Sequence, residues 1–277
     1  MVSDTRPIGV FDSGVGGLSV WREIARQLPH ESTIYFADQG HIPYGPRPLE
    51  QICLFSEAIT RFLLGRDCKA IVVACNAASA AALKHLRQTF PQVPIVGMEP
   101  AVKPAVETTQ TKVVGVLATP ATFQGALFAS VVERFANGVQ LVNQVCPGLV
   151  EQVEAGRLDT PDTEAMLRRF LQPILDARAD TVVLACTHYP FVIEPIRRIV
   201  GPAVTVIDPA PAIARRVGSV LADRELIATG GGAAQNVFCT SGARDDFRSM
   251  LGKLVDADGL METVVWQDDC ALTVWPI

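Results

Sequence analysis

Residues 71–100, IVVACNAASAAALKHLRQTFPQVPIVGMEP, and residues 182–209, VVLACTHYPFVIEPIRRIVGPAVTVIDP, are the stretches that decide the fold. Each reads as a buried apolar strand, Ala-Cys, a polar residue, a segment of helical period, a second strand and an acid-Pro pair. They differ by two residues in length. An earlier pair extends the repeat, because Ile8-Gly9-Val10-Phe11 before Asp12-Ser13 matches Val114-Gly115-Val116-Leu117 before Ala118-Thr119. Short β-branched runs alternating with longer helical segments are the pattern of βα units around a parallel sheet. The expectation is an α/β fold of two pseudo-symmetric parallel-sheet lobes, with the active site in the cleft between them.

Working outward, apolar runs predict strands over Ile8–Phe11, Thr33–Ala37, Ile71–Ala74, Pro94–Val96, Val113–Leu117, Leu141–Val145, Val182–Ala185 and Val204–Ile207. Helical period predicts helices over Gly17–Leu28, Glu50–Leu64, Ser79–Phe90, Thr122–Phe135, Asp162–Ala177 and Phe191–Val200. Ligands of doubly wound sheets bind at the carboxyl ends of the strands. Asp12, Cys75, Thr119 and Cys186 each fall there. If the lobes pack about a pseudo-two-fold axis, Cys75 and Cys186 face each other across one cleft.

The other five cysteines, Cys53, Cys68, Cys146, Cys239 and Cys270, read as small hydrophobes. Cys75 and Cys186 differ from them, since each ends an apolar strand, follows Ala, precedes a hydrogen-bonding residue (Asn76, Thr187) and holds the same place in the repeat. The loop Gly9-Val10-Phe11-Asp12-Ser13-Gly14-Val15-Gly16-Gly17-Leu18 exposes backbone N–H groups before a helix. It lacks a dinucleotide fingerprint, because Ser19 stands where the third glycine belongs. Asp12 and Ser13 beside free N–H groups suit a zwitterion. Pro43-Tyr44-Gly45 sits in a Pro- and Gly-rich loop at the same sheet edge, and His188 is placed to tune Cys186. Glu154, in a short amphipathic segment from Leu149 to Ala155, reads on its own as a solvated charge.

Bulk properties narrow the classes. The 277 residues carry a formal charge of −5, with 49% apolar and 19% charged residues, so a globular chain without a footprint for phosphate backbones is expected. A small molecule is the better ligand than nucleic acid. Seven cysteines without a CxxC pair and only four histidines argue against a disulfide framework and a zinc site. No apolar stretch approaches the roughly 18 residues of a membrane span. The expected compartment is the cytoplasm. Only eleven residues precede Asp12, which leads us to expect no activator site built into an N-terminal leader.

With Asp12-Ser13, Pro43-Tyr44-Gly45, Ala74-Cys75-Asn76 and Cys186-Thr187-His188-Tyr189-Pro190 in this order, the chain resembles the glutamate racemases of the aspartate/glutamate racemase superfamily. The resemblance covers nearly the whole chain, including Thr240-Ser241-Gly242. It implies cofactor-independent interconversion of L- and D-glutamate, supplying D-glutamate for peptidoglycan, with no metal. Carried over by position, Cys75 and Cys186 are the catalytic thiols, assisted by Asp12, Glu154 and His188. Substrate contacts fall on Asp12, Ser13, Tyr44, Gly45, Asn76, Thr119, Thr122, Thr187 and His188. Where similar enzymes usually have Thr after Cys-Asn, this chain has Ala77, leaving only its backbone N–H for the substrate. The resemblance also implies a first lobe of residues 1–98 plus 209–277 and a second of 99–208, and homodimers are common among such enzymes. The competing readings are another racemisation or a malonate decarboxylation on the same scaffold, a thiol hydrolase using Cys186 and His188, a nucleotide-binding module, and a pyridoxal phosphate racemase.

Overall fold

The computed structural model describes residues 4–229, 233–268 and 271–274 of the chain. It opens with β1 (Ile8–Asp12), α1 (Leu18–Gln27), β2 (Thr33–Ala37), α2 (Leu49–Gly65), β3 (Ala70–Val73), α3 (Asn76–Thr89) and β4 (Ile95–Gly97). The middle runs α4 (Val102–Thr108), β5 (Val113–Ala118), α5 (Pro120–Gln124), α6 (Ala126–Phe135), β6 (Gln140–Val145), α7 (Leu149–Glu154), α8 (Pro161–Asp176), β7 (Thr181–Ala185), α9 (Ile193–Val200) and β8 (Thr205–Ile207). Last come α10 (Ala210–Asp223), β9 (Asn236–Thr240), α11 (Arg244–Val255), β10 (Leu260–Asp268) and β11 (Ala271–Val274).

These strands form a seven-stranded sheet, ordered β11-β10-β9-β2-β1-β3-β4, and a four-stranded sheet, ordered β6-β5-β7-β8. Pairing is parallel except in the β10–β11 hairpin. The repeat seen in the sequence reappears as one permutation used twice, β2-β1-β3-β4 and β6-β5-β7-β8. Cys75, just past β3, and Cys186, just past β7, therefore occupy equivalent places. The larger sheet differs by the addition of β9, β10 and β11 on its β2 edge.

The strands β1, β2, β3 and β7 are buried at every residue, which is why they read as unbroken apolar runs rather than alternating ones. Helix α1 buries Leu18, Val20, Trp21 and Ile24 and packs on α10. Two departures from the sequence expectation exceed a residue or two. The helix expected over Thr122–Phe135 is divided at Gly125, whose extended backbone (ψ 138°) separates α5 from α6. A Cβ there would stand 2.5 Å from the Ala80 methyl of α3, so only glycine allows the close approach. Helix α3 starts at Asn76, not at Ser79, and Cys75 caps it: its sulfur accepts from the Ala78 N–H at 3.5 Å.

Away from the thiols, Asp180 braces the α4–β5 loop against the start of β7. Its carboxylate accepts from the backbone N–H groups of Gln110 (2.7 Å) and Thr111 (2.9 Å) and from the hydroxyls of Thr109 and Thr181. Slight burial works against ionisation, but these bonds outweigh it and lower the carboxyl from 3.8 to about 2. A depressed carboxylate pKa contributes stability above the unfolded value and loses it as pH falls through the folded one. Asp180→Ala should cost about 1–2 kcal/mol at neutral pH. In urea melts the difference from the parent should shrink between pH 4 and pH 2, the window set by 3.8 and about 2; a difference independent of pH would count against this role.

Candidate active site

The carboxyl ends of β1, β3, β5 and β7 surround a cavity of about 220 Å³. Cys75 reaches it from the larger sheet and Cys186 from the smaller, with 4% and 6% exposure. The chain thus delivers two buried thiols into one space. Burial pushes the Cys75 thiol well above its ordinary range, and the neighbouring Asp12 carboxylate adds to the effect. Cys75 is held as a proton-bearing thiol, 4.0 Å from the Ser13 hydroxyl. Cys186 lies 3.8 Å from Nδ1 of His188.

Asp12 is completely buried beneath the loop that follows β1. Its Oδ2 accepts from the N–H groups of Gly17 (2.9 Å) and Gly14 (3.3 Å), while Oδ1 accepts weakly from the Thr187 hydroxyl at 3.4 Å. Burial raises its carboxyl above the usual range despite the opposing pull of His188 and the Gly17 N–H. This arrangement corrects one expectation. The N–H groups of Gly14, Val15 and Gly17 are already taken, by Asp12 and by Glu154, so they are not free to cradle a substrate carboxylate or a phosphate. The negative charge of those partners weighs against the nucleotide-binding reading.

Glu154 is also not the solvated charge that its local sequence suggests. At the end of α7, its Oε1 accepts from the Val15 N–H at 2.7 Å and from Nε2 of His188 at 2.7 Å, and Oε2 accepts from Gln39 at 3.2 Å. Those partners are 139, 34 and 115 residues away in the chain, beyond the reach of any local pattern. His188 is clamped between Glu154 and Cys186, with 2% exposure. Burial opposes its charged form, but the hydrogen bonds to Cys186 and Glu154 prevail and hold the imidazole well above its usual range. A Cβ on Gly16 would overlap this ring, which accounts for a glycine there better than phosphate binding does.

The remaining residues singled out from the sequence line the cavity. Ser13, Tyr44 and Gly45 come from loops of the larger sheet, Asn76 and Ala77 open α3, and Thr119, Thr122 and Thr187 come from the smaller sheet's edge. Thr119 and Thr122 share a hydrogen bond of 3.2 Å. Asn76 is 4% exposed, yet neither polar atom of its side-chain amide has a hydrogen-bond partner among the described residues. An orphaned amide in a buried wall costs free energy unless a ligand completes it. The sequence reading missed Cys146, which lies just past β6 in the cavity wall, its thiol pushed up to about 12 chiefly by burial. Its place at a strand's carboxyl end was the available signal. Cys68 and Cys239 are buried with thiols likewise at about 12, in keeping with inert packing, and Cys53 is partly exposed. Cys270 lies outside the described residues.

All of these site residues fall within residues 8–217, the span matched by a family model described as Asp/Glu/Hydantoin racemase. The chain belongs to that family. A glutamate racemase of Roseiflexus sp. (strain RS-1) is 46% identical over 265 residues, covering 95% of this chain and 97% of that protein. Among solved structures, a glutamate racemase isoform of Bacillus anthracis superposes with a TM-score of 0.88 at 31% identity, covering 97% of this chain and 99% of that one. The Escherichia coli glutamate racemase in complex with L-glutamate and the activator UDP-MurNAc-Ala gives a TM-score of 0.82 at 33% identity, over 94% of this chain and 98% of that one. Among the described residues no helix is long and apolar enough to cross a membrane.

Proposed function

We propose that this protein is a glutamate racemase, interconverting L- and D-glutamate by proton transfer between two opposed thiols and needing no organic cofactor or metal. The observation that carries the reading is the entry of Cys75 and Cys186 into one small cavity from equivalent positions of a duplicated fold. Removing the α-hydrogen of an amino acid leaves a carbanion. Inversion then requires a proton from the opposite face, and one thiol on each face meets that need.

In the L-to-D direction Cys186 takes the proton and Cys75, the thiol that burial and Asp12 keep protonated, returns one to the other face. His188, charged and fixed by Glu154, sits against Cys186 as its partner. The α-carbon is a far weaker acid than a thiol, and each pKa unit of mismatch corresponds to about 1.36 kcal/mol. Donors on the α-carboxylate and exclusion of water narrow that gap. The unpaired Asn76 amide and the Ala77 N–H, at the start of α3 where the helix favours an anion, suit the carboxylate. Asp12 provides negative charge for the ammonium.

A thiol hydrolase would use Cys186 and His188 but leave Cys75 idle, and decarboxylation needs only one thiol. The same reading makes D-glutamate for peptidoglycan the physiological product, the cytoplasm the compartment and a homodimer the assembly. It takes residues 1–98 with 209–277 as one lobe and 99–208 as the other, in line with the division of strands between the sheets. Purified protein incubated with L-glutamate alone should bring the optical rotation to zero, and dialysis against EDTA should not slow it. Unchanged rotation of L-glutamate, with racemisation of L-aspartate or a hydantoin instead, would replace glutamate as the substrate.

A further inference from the structure

Asp38, the first residue after β2, is fully buried, and its carboxylate is filled from four directions. Oδ2 accepts from the Tyr44 hydroxyl at 2.6 Å and from Nδ1 of His41 at 3.0 Å; Oδ1 accepts from the Ser241 hydroxyl at 2.7 Å and from the Trp266 indole at 2.8 Å. A carboxylate offers about four lone-pair sites, and these four contacts fill them. The donors come from separate segments: the loop after β2, the turn after β9, and β10. Further contacts tighten the knot. Ser241 also accepts from the Gly40 N–H at 2.9 Å, and the His41 ring stacks on Phe55 at 3.9 Å and meets Trp266 edge-on at 4.8 Å.

Of the four donors, Tyr44 reaches the cavity, where it shares the wall with Cys75. Strands β9 and β10 have no counterpart in the smaller sheet. We infer that Asp38 is a positioning residue that fixes the Pro43–Tyr44–Gly45 wall of the cavity through Tyr44 and anchors it to β9 and β10 through Ser241 and Trp266. The inference rests on the proposed racemase reading for its kinetic consequence, but not for its structural one. It gives Thr240-Ser241-Gly242, distant from the thiols in sequence, a physical part in the site. A buried carboxylate that loses a donor is left short of a hydrogen bond, and losing the carboxylate leaves all four donors without their acceptor, so the wall it holds loosens.

The test is Asp38→Asn, which turns an amide N–H₂ against donors that need an acceptor. KM for L-glutamate should rise roughly tenfold with kcat altered less than about threefold, because the wall orients the substrate and moves no proton. Alkylation of Cys75 by iodoacetamide, mapped by mass spectrometry without substrate, should quicken by roughly tenfold as the wall loosens. Trp266→Phe, which removes one donor remote from the cavity and keeps the carboxylate, should shift both readouts in the same direction by about threefold. A folded Asp38→Asn enzyme with parental KM and Cys75 alkylation, or a loss confined to kcat, would overturn the proposal. Should Asp38→Asn fail to fold, parental values for Trp266→Phe on both readouts would overturn it equally. If the parent enzyme does not racemise glutamate, the functional reading fails by itself while the alkylation rates still decide the role of Asp38.

Discussion

Alanine in place of either Cys75 or Cys186 is expected to lower racemisation by roughly 10²- to 10⁴-fold or more, about 3 to 5 kcal/mol of barrier. Cys75 and Cys186 enter the cavity from two different sheets, and the third thiol of its wall, Cys146, is pushed up to about 12 by burial and comes from the same sheet as Cys186. Each single variant should also retain its remaining proton transfer. Cys75→Ala can still lift the hydrogen from L-glutamate, and on long incubation the Cys186 thiol trades it for a solvent hydrogen before returning it to the same face, so slow exchange of the α-hydrogen without inversion should outlast racemisation. Cys68→Ala and Cys239→Ala, which alter thiols packed in the core and outside the cavity lining, serve as controls and should leave the rate near that of the parent. A Cys75→Ala enzyme with a near-parental rate would remove the second base from the mechanism.

Asp12→Asn and His188→Asn should each lower kcat on the order of 10- to 100-fold, but unequally in the two directions. Asp12 is electrostatically tied to Cys75, whereas His188 lies against Cys186. Loss of His188 should weigh most on the L-to-D direction, in which Cys186 is the base. Asp12 acts on the other thiol, which it keeps protonated, so its loss should give a different split between kcat and KM in the two directions. The enantiomers are of equal energy, so kcat/KM must fall equally in both directions, and the asymmetry has to be sought in kcat and KM separately. Asp12→Asn carries a second consequence. Removing a negative charge beside a thiol lowers its pKa, so the pH profile of Cys75 alkylation should move to lower pH. Identical kcat and KM effects for the two substitutions, with an unmoved alkylation profile, would dissolve the assignment of one helper to each thiol.

Much of this architecture was legible because the duplication is written in apolar runs that stay buried on both faces, as in Ile71–Val73 and Val182–Leu184. Their Ala-Cys endings place the thiols at the strand edge from the sequence alone. What escaped notice depends on distance in the chain. Glu154 finds Val15 across 139 residues, and Asp38 finds Trp266 across 228, so neither partnership leaves a local trace. Strands β9, β10 and β11 and helices α10 and α11 lie beyond the repeat, where no second copy marked them. The break between α5 and α6 went unread because Gly125 is compatible with a continuous helical period, and the Ala80 contact that excludes a side chain is a tertiary fact.

The most direct test follows the α-hydrogen itself. L-Glutamate is incubated briefly with the enzyme in D2O, and the deuterium content of each enantiomer is measured before the mixture nears equilibrium. On the proposed mechanism, the Cys75 thiol exchanges with solvent before the substrate arrives, and Cys186 retains the hydrogen it lifts from the L face. Early D-glutamate should therefore carry deuterium at the α-carbon while the remaining L-glutamate stays protiated. A single base serving both faces would return much of the original hydrogen. Early D-glutamate that is mostly protiated would contradict two opposed thiols.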